Sequence, residues 1–209
     1  MTALLTVPAD VWAHNPVATF YRRPTPSLRF DTVRDLYGAF APAGEDVGVP
    51  ISDEPSLGFI ESAIENETWS AGLSFCAYLL PRREAVWWGA QSLRRMMPKV
   101  PGIEALEAAE AWVRNPEEEC RREALRVGAG ADGSRPATWI ALAAGWSGGS
   151  IAPAEFGYVA APPVQTPKAV RAALLMALSH VPAEAAASRV GPCLEHALAL
   201  AHGSAGDEG

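Results

Sequence analysis

Apolar residues recur at spacings of three and four along most of the chain, which is typical of amphipathic α-helices. A short helix is predicted over 31–40, with Asp31 as its cap. The same periodicity predicts further helices over 53–65, 68–80, 81–97, 102–114, 116–127, 135–146, 166–181 and 183–202. Residues 68–80 are apolar on nearly every side, so we expect this helix to lie at the centre of the core.

Prolines and glycines mark the ends of these helices. Pro81, Pro116 and Pro136 stand at predicted first-turn positions, which favour proline because the backbone N–H groups there have no partner within the helix. Gly128-Ala129-Gly130 is expected to close the helix that ends near Val127. Gly191-Pro192 is expected to kink the last helix.

The remaining segments set the domain organisation. Residues 1–50 are predicted to form an irregular N-terminal arm with one short helix and a loop over 41–50, residues 51–202 a helical domain, and residues 203–209 a disordered tail. The segment 151–165 is extended, rich in proline and too apolar for a free linker, so we expect it to lie over the helices. The predicted fold class is all-α, a single compact domain of about seven to nine helices joined by short loops.

Composition supports this fold class and narrows the functions. Alanine and leucine occur 39 and 18 times against 15 valines and 6 isoleucines, which favours helices over strands. The net charge of −7 argues against nucleic acid or an anionic membrane as the main partner. The first residues do not match a secretory signal, and no charge-free stretch is long enough for a transmembrane helix. Three widely separated cysteines indicate reduced thiols, so we expect a cytoplasmic protein.

One catalytic motif occurs. Gly145-Trp146-Ser147-Gly148-Gly149 matches G-x-S-x-G, in which a strand-to-helix turn exposes a nucleophilic serine, and acids and histidines follow in the order that a serine hydrolase needs. The predicted context differs, because Ser147 follows a helical segment and precedes a proline-rich one. A glycine-rich helix end is therefore the favoured interpretation, and a hydrolase that uses Ser147 is the alternative.

The sequence predicts no cofactor and no metal site. Cys193, His196 and His202 match no closed zinc spacing, so surface histidines are the favoured interpretation. The arginine pairs 82–83, 94–95 and 121–122 form either a solvated face paired with glutamates or a surface for an acidic partner. Lys168 stands in the first turn of a predicted helix, where a lysine is unusual.

Four segments together resemble a family of uncharacterised bacterial helical domains. They are PRREAVWW at 81–88, AEAWVRNPEEECRREAL at 109–125, WSGGS at 146–150 and TPKAV at 166–170. The resemblance covers roughly residues 50–182. It implies an accessory role beside contractile secretion machinery of the type VI kind, and it implies no catalytic residue.

The leading hypothesis is therefore a non-enzymatic accessory, adaptor or chaperone-like protein that contacts a spike, tip, adaptor or effector protein of a type VI-like system. A structural scaffold of unknown oligomeric state is a further alternative. The predicted contact residues lie on helix 81–97 and in the region 146–168: Arg82, Arg83, Trp88, Arg94, Arg95, Trp146, Ser147, Gly148, Gly149 and Lys168.

Overall fold

The computed structural model describes residues 29–152 and 154–203. These residues fold into one compact all-α domain, which confirms the predicted fold class. The ten α-helices within the described residues are α1 Val33–Ala39, α2 Ala43–Val47, α3 Ser56–Glu65, α4 Trp69–Leu79, α5 Arg82–Met96, α6 Ile103–Arg114, α7 Glu118–Gly130, α8 Pro136–Gly145, α9 Gln165–Leu178 and α10 Ala183–His202. None of these helices is long and apolar enough to cross a membrane.

Helix α4 lies at the centre of the core, as predicted. Residues 72–79 are buried without interruption, and α3, α5, α9 and α10 pack around them. Glycine at position 72 is needed for this packing, because a Cβ there would lie 2.7 Å from Cδ1 of Leu194 in α10. Helix α8 forms a second centre of packing, against α6, α7 and α9.

The region before residue 50 contains a helix that the sequence analysis did not predict. Helix α2 lies in the expected 41–50 loop, and Gly48 ends it with a φ of 74°. The carboxylate of Asp46 accepts a hydrogen bond from the Tyr78 hydroxyl, and the Asp46 carbonyl accepts one from Nε of Arg171 at 2.9 Å. These bonds join α2 to α4 and α9. Burial and the bond to Asp46 raise the pKa of Tyr78.

Residues from Phe30 onward belong to the same core as the central helices. Val33, Leu36 and Phe40 are buried in it, and Phe30 packs against it. The cap of α1 is Thr32 and not Asp31: the Thr32 hydroxyl accepts from the Asp35 N–H, and the Asp35 carboxylate accepts from the Thr32 N–H. The rest of the predicted arm, residues 1–28, and the tail from 204 onward lie outside the described residues.

Three further predictions about helix ends were wrong. Helix α7 continues through Gly128 to Gly130, since Gly128 packs against Leu142 of α8, where a Cβ would lie 3.0 Å from Leu142 Cγ. Pro116 precedes α7 by two residues, and Glu117 stands at the N-cap position without a side-chain hydrogen bond to the helix. Pro81 is likewise the N-cap residue of α5 and not a first-turn residue.

Candidate functional site

The turn after α8, residues 145–150, is the end of a helix, as the sequence analysis favoured. Gly145 is the last residue of α8, the N–H of Trp146 donates to Leu142 O at 2.8 Å, and the N–H of Ser147 donates to Ala144 O at 3.1 Å. Gly149 has a φ of 61°, in the left-handed region that favours glycine. Ser147 therefore follows a helix, whereas the nucleophile of a hydrolase elbow follows a buried strand.

A buried arginine fixes this turn. The guanidinium of Arg121 in α7 donates to Gly145 O and, at 3.0 Å, to Ser150 O, and so it joins the two ends of the turn. Its Nε and Nη2 also donate to the two carboxylate oxygens of Glu118, each at 2.7 Å. Arg121 is 4% exposed. Hydrogen bonds from Arg121 lower the pKa of Glu118.

The role of Arg121 was not predicted. The sequence analysis treated it as one member of an exposed arginine pair, and for its neighbour Arg122 this is the better description, because the side chain of Arg122 is 46% exposed. Glu118, three residues earlier, indicates an ion pair but gives no sign of burial. Only the packing of α7 against α8 places one arginine of the pair beneath the turn.

The segment that follows the turn is a short loop closed at its base, here called the 150–160 loop. Ser150 and Ala160 form an antiparallel bridge, in which Ile151 N–H donates to Val159 O at 2.9 Å and Ala161 N–H to Gly149 O at 3.2 Å. The Ser150 hydroxyl adds bonds to the N–H groups of Ala152 and Val159, each at 3.2 Å. Within the loop, Ala154–Phe156 form one turn of 3₁₀ helix.

The 150–160 loop presents apolar side chains to solvent. Phe156 and Tyr158 are each 75% exposed and Val159 is 46% exposed. The expectation that 151–165 lies over the helices is therefore wrong for these residues. The physical reason is that the backbone groups at the base of the loop bond to each other across the bridge, and the side chains of Phe156, Tyr158 and Val159 are left exposed to solvent. Phe156 and Tyr158 were missed as candidate contact residues because apolar side chains in a sequence predict burial.

Arg82 connects helix α5 to the turn. Its Nη1 donates to Ser147 O at 2.7 Å, which brings the start of α5 against the predicted Ser147–Gly149 segment. Arg29 lies close by, with its guanidinium 4.9 Å from the centroid of the Phe30 ring and 5.1 Å from that of Phe40. Burial and the positive charge of Arg82 lower the pKa of Arg29.

The other predicted arginines point elsewhere. Nε of Arg83 donates to Val113 O at 2.8 Å, in α6. Arg94 forms a two-bond ion pair with Glu110, at 2.8 and 2.9 Å, and lies twelve residues after Arg82, which is about 18 Å along the axis of α5. His196 was expected at the surface but is buried, and burial first, then the charge of Arg95, lower the pKa of this histidine to about 4. The predicted arginine surface is thus divided, and Arg82 is the one whose hydrogen bond to Ser147 O reaches the turn.

The three remaining predicted residues occupy three different environments. Trp88 is 0% exposed, and its indole N–H donates to Cys193 O at 2.7 Å, so it is a core residue that no partner can reach. Trp146 is half-buried against the core. Lys168 is exposed in the first turn of α9, a helix whose Thr166 hydroxyl donates to Ala143 O of α8 at 3.2 Å.

Comparison with known proteins identifies the family of this chain. Residues 59–201 match the sequence pattern of DUF6931, a family of unknown function. The chain belongs to this family. No curated protein and no solved structure matches it. The DUF6931 match covers the turn, Arg82, Arg121 and the 150–160 loop, and it begins after helices α1 and α2.

The described residues offer few other places for chemistry. Within 29–152 and 154–203 no group of three His, Cys, Asp or Glu side chains is arranged to hold a metal ion. Cys76 and Cys193 are buried thiols and Cys120 is half-buried. Burial raises the pKa of Cys193 to about 11, which keeps it a thiol at neutral pH. The surface made by the turn, Arg82 and the 150–160 loop, with its exposed Phe156 and Tyr158, is the candidate functional site, here called the loop surface.

Proposed function

We propose that this DUF6931 protein is a non-enzymatic accessory, adaptor or chaperone-like protein of a type VI-like bacterial secretion system, and that it works in the cytoplasm by protein–protein contact. The link to secretion machinery is supported by the sequence resemblance at 81–88, 109–125, 146–150 and 166–170. The contact itself is supported by the loop surface.

The observation that carries the contact is the exposure of Phe156 and Tyr158 on a loop with a fixed base. Large apolar side chains clustered on a surface are typical of sites that bind other proteins, and tyrosine contributes strongly to binding energy at such sites. The hydrogen bonds of Ser150 and Arg121 attach the base of the loop to α7 and to the end of α8.

Positive charge near the loop indicates which kind of partner would bind there. Arg82 donates to the carbonyl of Ser147 in the turn, and the positive charge of Arg82 acts on Arg29, so two guanidinium groups lie on this side of the loop. Such a site favours a partner with acidic side chains around an apolar patch, because opposite charges at the rim of an interface speed association and fix orientation.

Tagged wild-type protein recovered from its native cells, with co-purifying proteins quantified by mass spectrometry, tests this proposal. We expect Phe156→Ala/Tyr158→Ala to reduce recovery of a secretion-system spike, tip, adaptor or effector protein at least tenfold, and Arg82→Glu to reduce it severalfold. Ile51→Ala is the matched control, because Ile51 is 54% exposed but lies outside the loop. We expect Arg94→Gln, which changes an arginine of α5 that bonds Glu110 and not the turn, to leave recovery unchanged.

Different results remove different parts of the proposal. Equal recovery with the loop double variant and with Ile51→Ala would rule out the loop as the contact. A loop-dependent partner that belongs to no secretion machinery would leave the contact in place and remove its assignment to a type VI-like system.

A further inference from the structure

The bridge at the base of the 150–160 loop determines where its backbone groups point. The two ladder hydrogen bonds, from Ile151 N–H to Val159 O and from Ala161 N–H to Gly149 O, lie on either side of the Ser150–Ala160 pair. This is the pattern of a non-hydrogen-bonded antiparallel pair. In such a pair, the N–H and C=O groups of both residues point outward, away from the opposite strand.

The two outer edges of this ribbon differ. The edge at Ser150 is closed from within the protein, since Nη2 of Arg121 donates to Ser150 O at 3.0 Å. The edge at Ala160 faces solvent: Ala160 is exposed, and among the described residues none forms a hydrogen bond with its N–H or its carbonyl. Tyr158 precedes Ala160 by two residues, so in an extended segment the backbone groups of Tyr158 point to the same edge as those of Ala160.

An outward backbone donor and acceptor on an exposed strand are suited to one kind of occupant, an extended backbone that supplies the matching acceptor and donor. The edge is short. Pro162 lacks an N–H, and its carbonyl already accepts from Gln165 N–H at 3.0 Å, so pairing ends there. An added strand can therefore pair over about three residues, beside the exposed rings of Tyr158 and Phe156.

We propose that the Tyr158–Ala160 edge binds an extended segment of the partner protein as a third, added strand. The segment has free N–H groups at alternate positions and an apolar side chain that packs on Tyr158. This proposal rests on the proposed contact function and specifies its binding mode: backbone pairing holds the segment, and the aromatic side chains select it.

Position 160 allows a substitution that separates backbone from side chain. Ala160→Pro removes the outward N–H, which no described residue uses, while Ala160→Val keeps it and changes only the side chain. The ladder bond from Ile151 N–H to Val159 O does not involve residue 160. Protection of the Ile151 amide from hydrogen exchange therefore reports whether the loop base stays folded in each variant.

The binding experiment uses octapeptides selected on the full chain from a random display library and then labelled with fluorescein. We expect a selected peptide to bind Ala160→Pro at least tenfold more weakly than wild type and Ala160→Val within twofold of wild type. We expect N-methylation of the peptide to weaken binding at least tenfold at alternate positions and less than twofold at the positions between. The Ala160 amide should exchange at least tenfold more slowly in the complex.

Several outcomes would overturn the added strand. They are equal binding to Ala160→Pro and Ala160→Val, N-methylation effects that do not alternate, or no peptide whose binding depends on position 160. A dimer in light scattering that Ala160→Pro dissociates would assign the edge to a second copy of the chain. If Ala160→Pro retains the cellular partner while Phe156→Ala/Tyr158→Ala loses it, the contact function stands and the strand mode fails.

Discussion

The guanidinium of Arg121 fills the space that a side chain at position 149 would need, since a Cβ on Gly149 would lie 2.8 Å from Nη2 of Arg121. Gly149 and Arg121 therefore depend on each other. The glycine leaves room for the arginine, and the arginine holds the carbonyls on both sides of the turn.

Gly149→Ala is expected to destabilise the protein by about 2 kcal/mol. About half of this comes from a φ of 61°, which is unfavourable for alanine, and the rest from displacement of Arg121. Urea denaturation of the variant and of Gly148→Ala checks the expectation. A Cβ at Gly148 meets no atom within 4 Å, so this control should change stability by less than about 0.5 kcal/mol. Similar losses in both variants would mean that the Arg121 contact does not matter.

Arg121→Met is expected to reduce the free energy of unfolding by about 2–3 kcal/mol, because the buried carbonyls of Gly145 and Ser150 lose a charged donor. Arg122→Met is the matched control: it removes a neighbouring arginine that bonds the same Glu118 carboxylate from an exposed position, and it should cost less than about 0.5 kcal/mol. Hydrogen exchange provides a second measurement. Arg121→Met should speed exchange of the Ile151 and Ala161 amides, and unchanged exchange there would contradict a role for Arg121 in holding the loop.

His196 makes stability depend on pH. Burial and Arg95 lower its pKa to about 4 in the folded protein, below the roughly 6.5 of an unfolded chain. Above pH 6.5 the imidazole is neutral in both states, and the stability is fully present. As the pH falls from 6.5 to 4 the unfolded chain binds a proton that the folded protein does not, so the free energy of unfolding decreases by about 2–3 kcal/mol. Denaturation across this range should show a shallower decline for His196→Gln than for wild type. His202→Gln, at an exposed histidine, should follow wild type, and three identical profiles would contradict the burial effect.

Ser147 is expected to be unreactive as a nucleophile. It follows helix α8, whereas the serine of a hydrolase follows a strand. The Arg82 guanidinium also bonds the carbonyl of Ser147. A fluorophosphonate probe should label wild type and Ser147→Ala equally weakly, in comparison with a known serine hydrolase as positive control. Strong labelling that Ser147→Ala abolishes would establish the hydrolase alternative.

The helices were predictable because their apolar periodicity is strong and their ends carry proline or glycine. Helix α2 was not, because it has five residues and depends on bonds that Tyr78 and Arg171 make to Asp46 from distant parts of the chain. No local pattern records such bonds.

The candidate site was predictable only in part. The glycine turn and Arg82 were found from their residue types, and they do meet. Trp88 was placed on the surface because a tryptophan next to arginines suits an interface, yet the crossing of α5 and α10 buries it. Phe156 and Tyr158 were expected to be covered, and the bridge between Ser150 and Ala160, which depends on pairing across the loop, exposes them.

The bridge at Ser150 and Ala160 also bears on how tightly the loop surface can bind. A flexible loop loses conformational entropy when a partner orders it, and this loss subtracts from affinity. In the 150–160 loop the ends are already joined, and Phe156 and Tyr158 each have only two side-chain torsions left to fix. The cost of closing the loop is therefore met when the protein folds, and the proposed partner segment would have to meet only the cost of ordering the tip and its side chains.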